Sequence, residues 1–203
     1  MEDLFQRTYL SAAQSGIYFA IFLFCWYLKI TQLWPITSLL GFFFSIFIFV
    51  FLLTGLALSF IFHLRGYLTL AADQRIKSLI LPTRALMISS ALVYAAELLD
   101  YSGSTLYGSS SAFVTYLVAA GGLPLLFYFL SFISLTLTIY WQRQRFGNFA
   151  LGMGVLGVLC LVYLIYLMVF GIFESSVTDL KPVFDFSFAI FGSIYFFGRS
   201  TID

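Results

Sequence analysis

Long apolar blocks alternate along this chain with short segments that hold almost every charge, and the sign of the charge switches from one gap to the next. A helix needs about 20 mostly apolar residues to cross roughly 30 Å of hydrocarbon, so each block predicts a membrane-spanning helix. Six follow, at about 15–34, 36–62, 85–101, 123–141, 149–173 and 183–198. The first is interrupted only by Lys29 near its end, where a long side chain can reach the headgroups. The second carries no charge and contains Gly-Phe-Phe-Phe at 41 to 44. At about 1.5 Å per residue it would be roughly 40 Å long, so it must tilt or protrude. The third block is the least apolar, with Glu97 and Asp100 near its far end, and the sixth is short and contains Asp185.

The gaps set the expected orientation, because Lys and Arg stay preferentially on the cytoplasmic side during insertion. Arg65, Arg75, Lys77 and Arg84 lie between the second and third blocks with one acid, Asp73; Arg143 and Arg145 lie between the fourth and fifth, and Arg199 follows the sixth. The charges next to the third gap are Glu97 and Asp100, and those of the fifth are Glu174, Asp179 and Lys181. With Arg7 at the start, eight of the ten basic residues fall on one side and only Lys29 and Lys181 on the other. The expected architecture is therefore an all-α polytopic bundle, a single integral-membrane domain over 1–203 with six transmembrane helices and both termini cytoplasmic. Five or seven spans would break the alternation. The acidic Met-Glu-Asp start, and a first block that closes on Lys29 and Trp34 without a small-residue cleavage pattern, predict a retained helix in place of a removable signal peptide. Trp26, Trp34, Tyr101 and Tyr107 on the outer side, and Tyr67, Tyr140 and Trp141 on the inner side, fit interfacial belts.

The longest gap, 64–84, has a helical pattern of its own. Leu68, Ala72, Ile76 and Leu79 recur at helical spacing, Asp73, Gln74, Lys77 and Ser78 occupy the other side, and Pro82 closes the segment. An in-plane amphipathic helix on the cytoplasmic leaflet is expected between spans two and three. It serves either as a connector that hides its apolar residues at the interface, the preferred reading, or as a docking surface for a cytoplasmic partner. No three-plus-three repeat is visible, since the gaps after spans two and five differ in length and charge, and an inverted-repeat carrier gains no support.

Composition agrees with the pattern. Apolar residues make up 62% of the chain and charged residues 9%, against about 45–50% and about 25% in a soluble domain. Net charge is +1 with no basic run, so no nucleic-acid partner is expected. The chemistry that the chain lacks narrows function further. Its one histidine, His63, sits where span two would meet the inner headgroups and is read as interfacial. Cys25 and Cys160 lie in different spans without a Cys-x-x-Cys motif and are read as packing residues. The Tyr107-Gly-Ser-Ser-Ser-Ala112 stretch lacks the glycine that should follow a nucleophilic serine, and no histidine lies near it. Neither a phosphate-binding glycine loop nor a Mg²⁺-holding acidic stretch is present. The chain is expected not to be an enzyme and to need no cofactor or metal. It also carries none of the residue patterns of substrate-binding subunits of energy-coupling transporters, urea channels, intramembrane proteases or bacterial acyltransferases.

Acids in or beside apolar spans are costly unless paired, hydrated or near an interface. Glu97 and Asp100 are three apart and share a helix face, and Asp185 falls on the same outer side, where Lys29 and Lys181 are the available bases. The acids form either an outer vestibule that attracts a cation or relays a proton, or a structural clamp with those lysines. Gly121-Gly122-Leu123-Pro124 is a second anomaly: 112–120 is apolar but too short to cross, while 123–141 can span alone. Gly121, Gly122 and Pro124 mark either a re-entrant segment near a substrate cavity or a proline kink in one long helix. Small residues four apart, such as Gly55 and Ser59, Ala91 and Ala95, Ala150 and Gly154, or Ala189 and Ser193, offer stripes for close helix packing, within the chain first and between chains second.

Two readings of function follow. One is a small channel or carrier for a cation, proton or small molecule, with Glu97, Asp100, Asp185 and the 121–124 break at its site. The other is a non-catalytic structural, assembly or docking subunit of a larger membrane complex, favoured by sparse intramembrane polarity. Transport is placed first because the acids and the break converge on one face. The lipid bilayer is the expected partner, with a homo-oligomer or other membrane subunits beside it, and a bacterial inner membrane is the expected location.

Overall fold

The fold is seen in a computed structural model that describes residues 2–30, 39–107, 111–169 and 180–201, with side chains placed over 4–26, 47–96, 123–169 and 180–201. The described residues form six α-helices and no strand: α1 Glu2–Ile30, α2 Leu39–Asp73, α3 Ile80–Tyr107, α4 Ser111–Trp141, α5 Arg143–Val169 and α6 Lys181–Ser200. Five helical stretches, Leu4–Trp26 of α1, Phe47–Asp73 of α2, Lys77–Ala96 from the turn before α3 into α3, Leu123–Trp141 of α4 and Arg143–Val169 of α5, are long and apolar enough to cross a membrane. Their outward faces are apolar as well, with Phe47, Leu58, Val155, Val162 and Ile165 among the exposed side chains. Such surfaces are unstable in water and suited to lipid, so these helices point to an integral membrane protein.

Helices adjacent in sequence pack side by side, and α6 returns against α1 to close the ring. The inward face of α6 is Lys181, Phe184, Asp185, Phe188, Ala189, Gly192, Ser193 and Phe196, a three-and-four spacing that lines one side of a helix. Phe188 lies at the centre: its ring is 5.1 Å from Tyr67 of α2, 5.1 Å from Phe132 of α4 and 6.1 Å from Phe60 of α2. Small residues let the outer helices approach. A Cβ on Gly154 would fall 2.5 Å from the Tyr140 ring, and one on Gly55 2.6 Å from Phe22, so two of the predicted stripes are used within the chain. Ala91 and Ala95 instead face outward.

One expectation is corrected here, and one of two open alternatives is met. First, no in-plane helix occupies 64–84. The apolar positions on 64–71 belong to the bundle, with Leu64, Tyr67, Leu70 and Ala71 all buried, so α2 continues straight to Asp73. There a Schellman motif stops it: Ile76 N–H donates to the Ala71 carbonyl at 2.8 Å and Arg75 N–H to the Ala72 carbonyl at 3.3 Å. A single 3₁₀ turn, Lys77–Leu79, leads into α3, whose first turn takes Pro82 without losing a helical hydrogen bond. The same packing removes Tyr67 from any interfacial belt, since its side chain is fully buried. Second, Gly121-Gly122-Leu123-Pro124 does not separate two segments. One helix, α4, runs through it with Pro124 inside, as the kinked-helix alternative requires.

The Schellman turn places Arg75 at φ 54°, a left-handed conformation that favours glycine. Arg75→Gly is expected to stabilise the protein by about 1 kcal/mol, read as a raised unfolding midpoint in detergent. Arg75→Val should lower it, and no change in either variant would mean that the turn is not held in this conformation.

Candidate functional site

Lys181 opens α6 and Asp185 follows one turn later, and both are buried. Lys181 Nζ donates to Asp185 Oδ2 at 2.7 Å. Tyr128 of α4 donates its hydroxyl to Asp185 Oδ1, so each carboxylate oxygen has its own donor. Lysine before aspartate is the weaker order on a helix, because it sets the cation toward the positive end of the dipole. Aromatic faces offset this: Lys181 Nζ is 4.8 Å from the centre of the Tyr128 ring and 5.1 Å from that of Tyr94 on α3, within range of a cation–π attraction. Tyr163 of α5 accepts the Leu180 N–H at 3.3 Å and fixes the entry to α6. Four helices thus enclose one charged pair.

Its depth follows from the helices that carry it. Asp185 precedes Arg199 by fourteen residues on α6 and Tyr94 follows Ile80 by fourteen on α3, which is about 21 Å of helix in each case. The opposite end of the bundle is polar and basic: Tyr9 donates to Asp73 at 2.9 Å, Arg145 to the Gln74 carbonyl at 2.9 Å and Arg199 to the Tyr195 hydroxyl at 3.2 Å.

A second buried polar cluster lies between the pair and that end. His63 is fully buried, which corrects its expected interfacial position. α2 runs ten residues beyond it to Asp73, and Gly16 and Gly192 allow α1 and α6 to close over the ring. A Cβ on Gly192 would fall 2.5 Å from both His63 Nε2 and Tyr67 Oη. His63 Nδ1 donates to the Ala12 carbonyl at 2.9 Å, which assigns the proton to Nδ1. His63 Nε2, Tyr67 Oη and Ser193 Oγ have no partner among the described residues. The Phe188 ring, 5.9 Å from His63, sits on the α6 turn between Asp185 and Ser193. The two polar clusters are therefore separated by an aromatic layer.

Of the residues singled out from the sequence, Asp185 is at the site, joined to Lys181. Glu97 and Asp100 lie on α3, three and six residues beyond Tyr94; their side chains fall outside the described residues, as do those at 121, 122 and Lys29. Pro124 is half-buried on α4, one turn before Tyr128. Sequence reasoning missed Tyr94 and Tyr128. Tyr128 is five residues into the 123–141 block, within reach of the headgroups, so its position along the span carried no signal. Among the described residues no three His, Cys, Asp or Glu side chains come together. What the cluster offers chemically is a buried carboxylate held between an ammonium and a phenol donor.

Removing one member of a buried pair strands the other, at a cost of about 3–5 kcal/mol. Asp185→Leu or Lys181→Met alone is expected to lower the unfolding midpoint strongly, while the double variant Lys181→Met/Asp185→Leu should recover most of the loss. Equal and additive losses in a double-mutant cycle would show that the two charges do not interact. No protein-family model, curated protein or solved structure matches the chain.

Proposed function

We propose that this chain is a small membrane channel or carrier for a proton or small cation, with the Lys181–Asp185–Tyr128 cluster as its binding site. One observation carries the reading: a lysine–aspartate ion pair is buried within a bundle of mostly apolar helices, about 21 Å of helix from the basic end. Intramembrane charges of this kind mark ion or proton pathways, because structure alone would use cheaper apolar contacts. In this mechanism an arriving proton binds Asp185 Oδ2 and breaks its ion pair with Lys181, whose ammonium stays over the Tyr94 and Tyr128 rings. Departure of the proton restores the pair. Glu97 and Asp100 attract the cation on the outer side, and the Gly121-Gly122 and Pro124 region of α4 forms the adjoining wall. The reading includes α6 as a sixth span, both termini in the cytoplasm, placement in a bacterial inner membrane and no enzymatic activity.

A second reading is favoured by the aromatic layer at Phe188, Phe132 and Phe60, which leaves the two polar clusters unconnected. On this reading the chain is a non-catalytic subunit of a membrane complex, associated with copies of itself or other subunits. The exposed Arg75, Lys77 and Ser78 of the α2–α3 turn would then meet a cytoplasmic partner.

Flux separates the two. In proteoliposomes holding a pH-sensitive dye, an imposed membrane potential is expected to drive proton uptake through the wild-type chain. Lys181→Met/Asp185→Leu should abolish that uptake while remaining folded, and Glu97→Gln should reduce it. Wild-type vesicles that take up neither protons nor alkali cations would sink the transport reading, and co-purification with other membrane subunits would favour the second.

A further inference from the structure

The groove between α1 and α2 changes character near the basic end of the bundle. Along most of its length it is bordered by exposed apolar side chains, Tyr18 and Ile21 on α1 and Phe51 and Leu58 on α2, and it is closed below by the Phe22 ring against Phe51 and Gly55. Toward the basic end it opens into a cleft of about 210 Å³ lined by Arg7, Thr8, Ser11, Phe62 and Arg65. Arg7 and Thr8 are four and three residues from Ser11, so the three share one face of α1, and Phe62 and Arg65 share one face of α2. The Arg65 guanidinium lies 5.5 Å from the centre of the Phe62 ring, which steadies it at the cleft. Neither arginine forms an ion pair among the described residues.

Two guanidiniums beside the Ser11 hydroxyl form a receptor for a phosphate, since the planar fork of Arg matches phosphate oxygens and the serine adds a donor, while the Thr8 hydroxyl donates to the Leu4 carbonyl at 2.8 Å. The apolar groove that continues from the cleft fits the hydrocarbon of the same ligand. Charge and groove together specify an amphiphile with an anionic head. We propose that the cleft holds the phosphate headgroup of an anionic phospholipid from the leaflet that meets the basic end, with an acyl chain along the α1–α2 groove. Basic clefts between membrane helices recognise such headgroups, and each basic residue near the surface adds about a fivefold preference. The proposal rests only on the chain lying in a membrane and is independent of transport.

Native mass spectrometry of the full chain, released from detergent after incubation with phosphatidylglycerol or phosphatidylcholine, tests it. The wild type is expected to retain phosphatidylglycerol in preference to phosphatidylcholine, and Arg7→Gln/Arg65→Gln to lose that preference by at least tenfold. Lys77→Gln/Arg143→Gln, which removes two exposed charges from the same end, should keep it, and Arg7→Lys/Arg65→Lys should keep part of it. In the wild type alone, high salt should release phosphatidylglycerol, and millimolar inorganic phosphate should not. Equal retention of both lipids by the wild type would overturn the proposal. So would undiminished binding by Arg7→Gln/Arg65→Gln, or displacement by inorganic phosphate, which would indicate a free-anion site.

Discussion

A lysine and an aspartate cannot each be carried alone into an apolar helix bundle; together, with both carboxylate oxygens hydrogen-bonded, they can. That constraint organises the α6 half of this protein. Lys181 and Asp185 must face inward one turn apart on α6, and Tyr128 must present its hydroxyl from α4. Tyr94 and Tyr128 must then stand where their rings meet the ammonium. Helices α3, α4 and α6 are thereby fixed in register at one depth. Once that register is set, the same face of α6 delivers Phe188 to the rings of Tyr67 and Phe132, and Gly192 to His63.

The other half of the bundle is held by close approach instead of charge. Helix α1 lies against α2 and α6 because Gly16 and Gly66 leave room for Ser193, His63 and Phe196, and in a lipid environment such small-residue contacts replace the hydrophobic driving force available in water. His63 gains its burial from this closeness. A larger residue at 16 or 192 would meet the imidazole directly, so the histidine and the two glycines form one packing unit.

The helical class, the apolar blocks and the approximate positions of the helices were legible in the sequence, because about 20 apolar residues between charges admit few other structures. Asp185 was legible for the same reason, as an acid out of place, and Lys181 was one of two bases on its side. The segment 64–84 was misread because helical periodicity cannot distinguish a helix lying on a membrane from the end of a longer one. Deciding between them needed Tyr67 and Leu70 to be seen packed inside the bundle. His63 was misread through the same error, since a span that ends at 62 puts it at an interface and one that reaches Asp73 puts it in the interior. Tyr94 and Tyr128 were not legible, because their role depends on which faces of α3 and α4 turn toward α6, and that is set by tertiary packing.

The central claim is that Asp185 is an ionised carboxylate sealed inside the bundle against Lys181. Infrared difference spectroscopy of the protein in lipid, comparing the wild type with Asp185→Asn at neutral pH and with aspartate carbonyls isotope-labelled, reads this directly. The account predicts that the substitution removes a carboxylate stretch and leaves the protonated-acid region unchanged. Loss of a protonated carboxyl band instead would contradict it, because Asp185 would then be neutral and the pair with Lys181 would not be an ion pair.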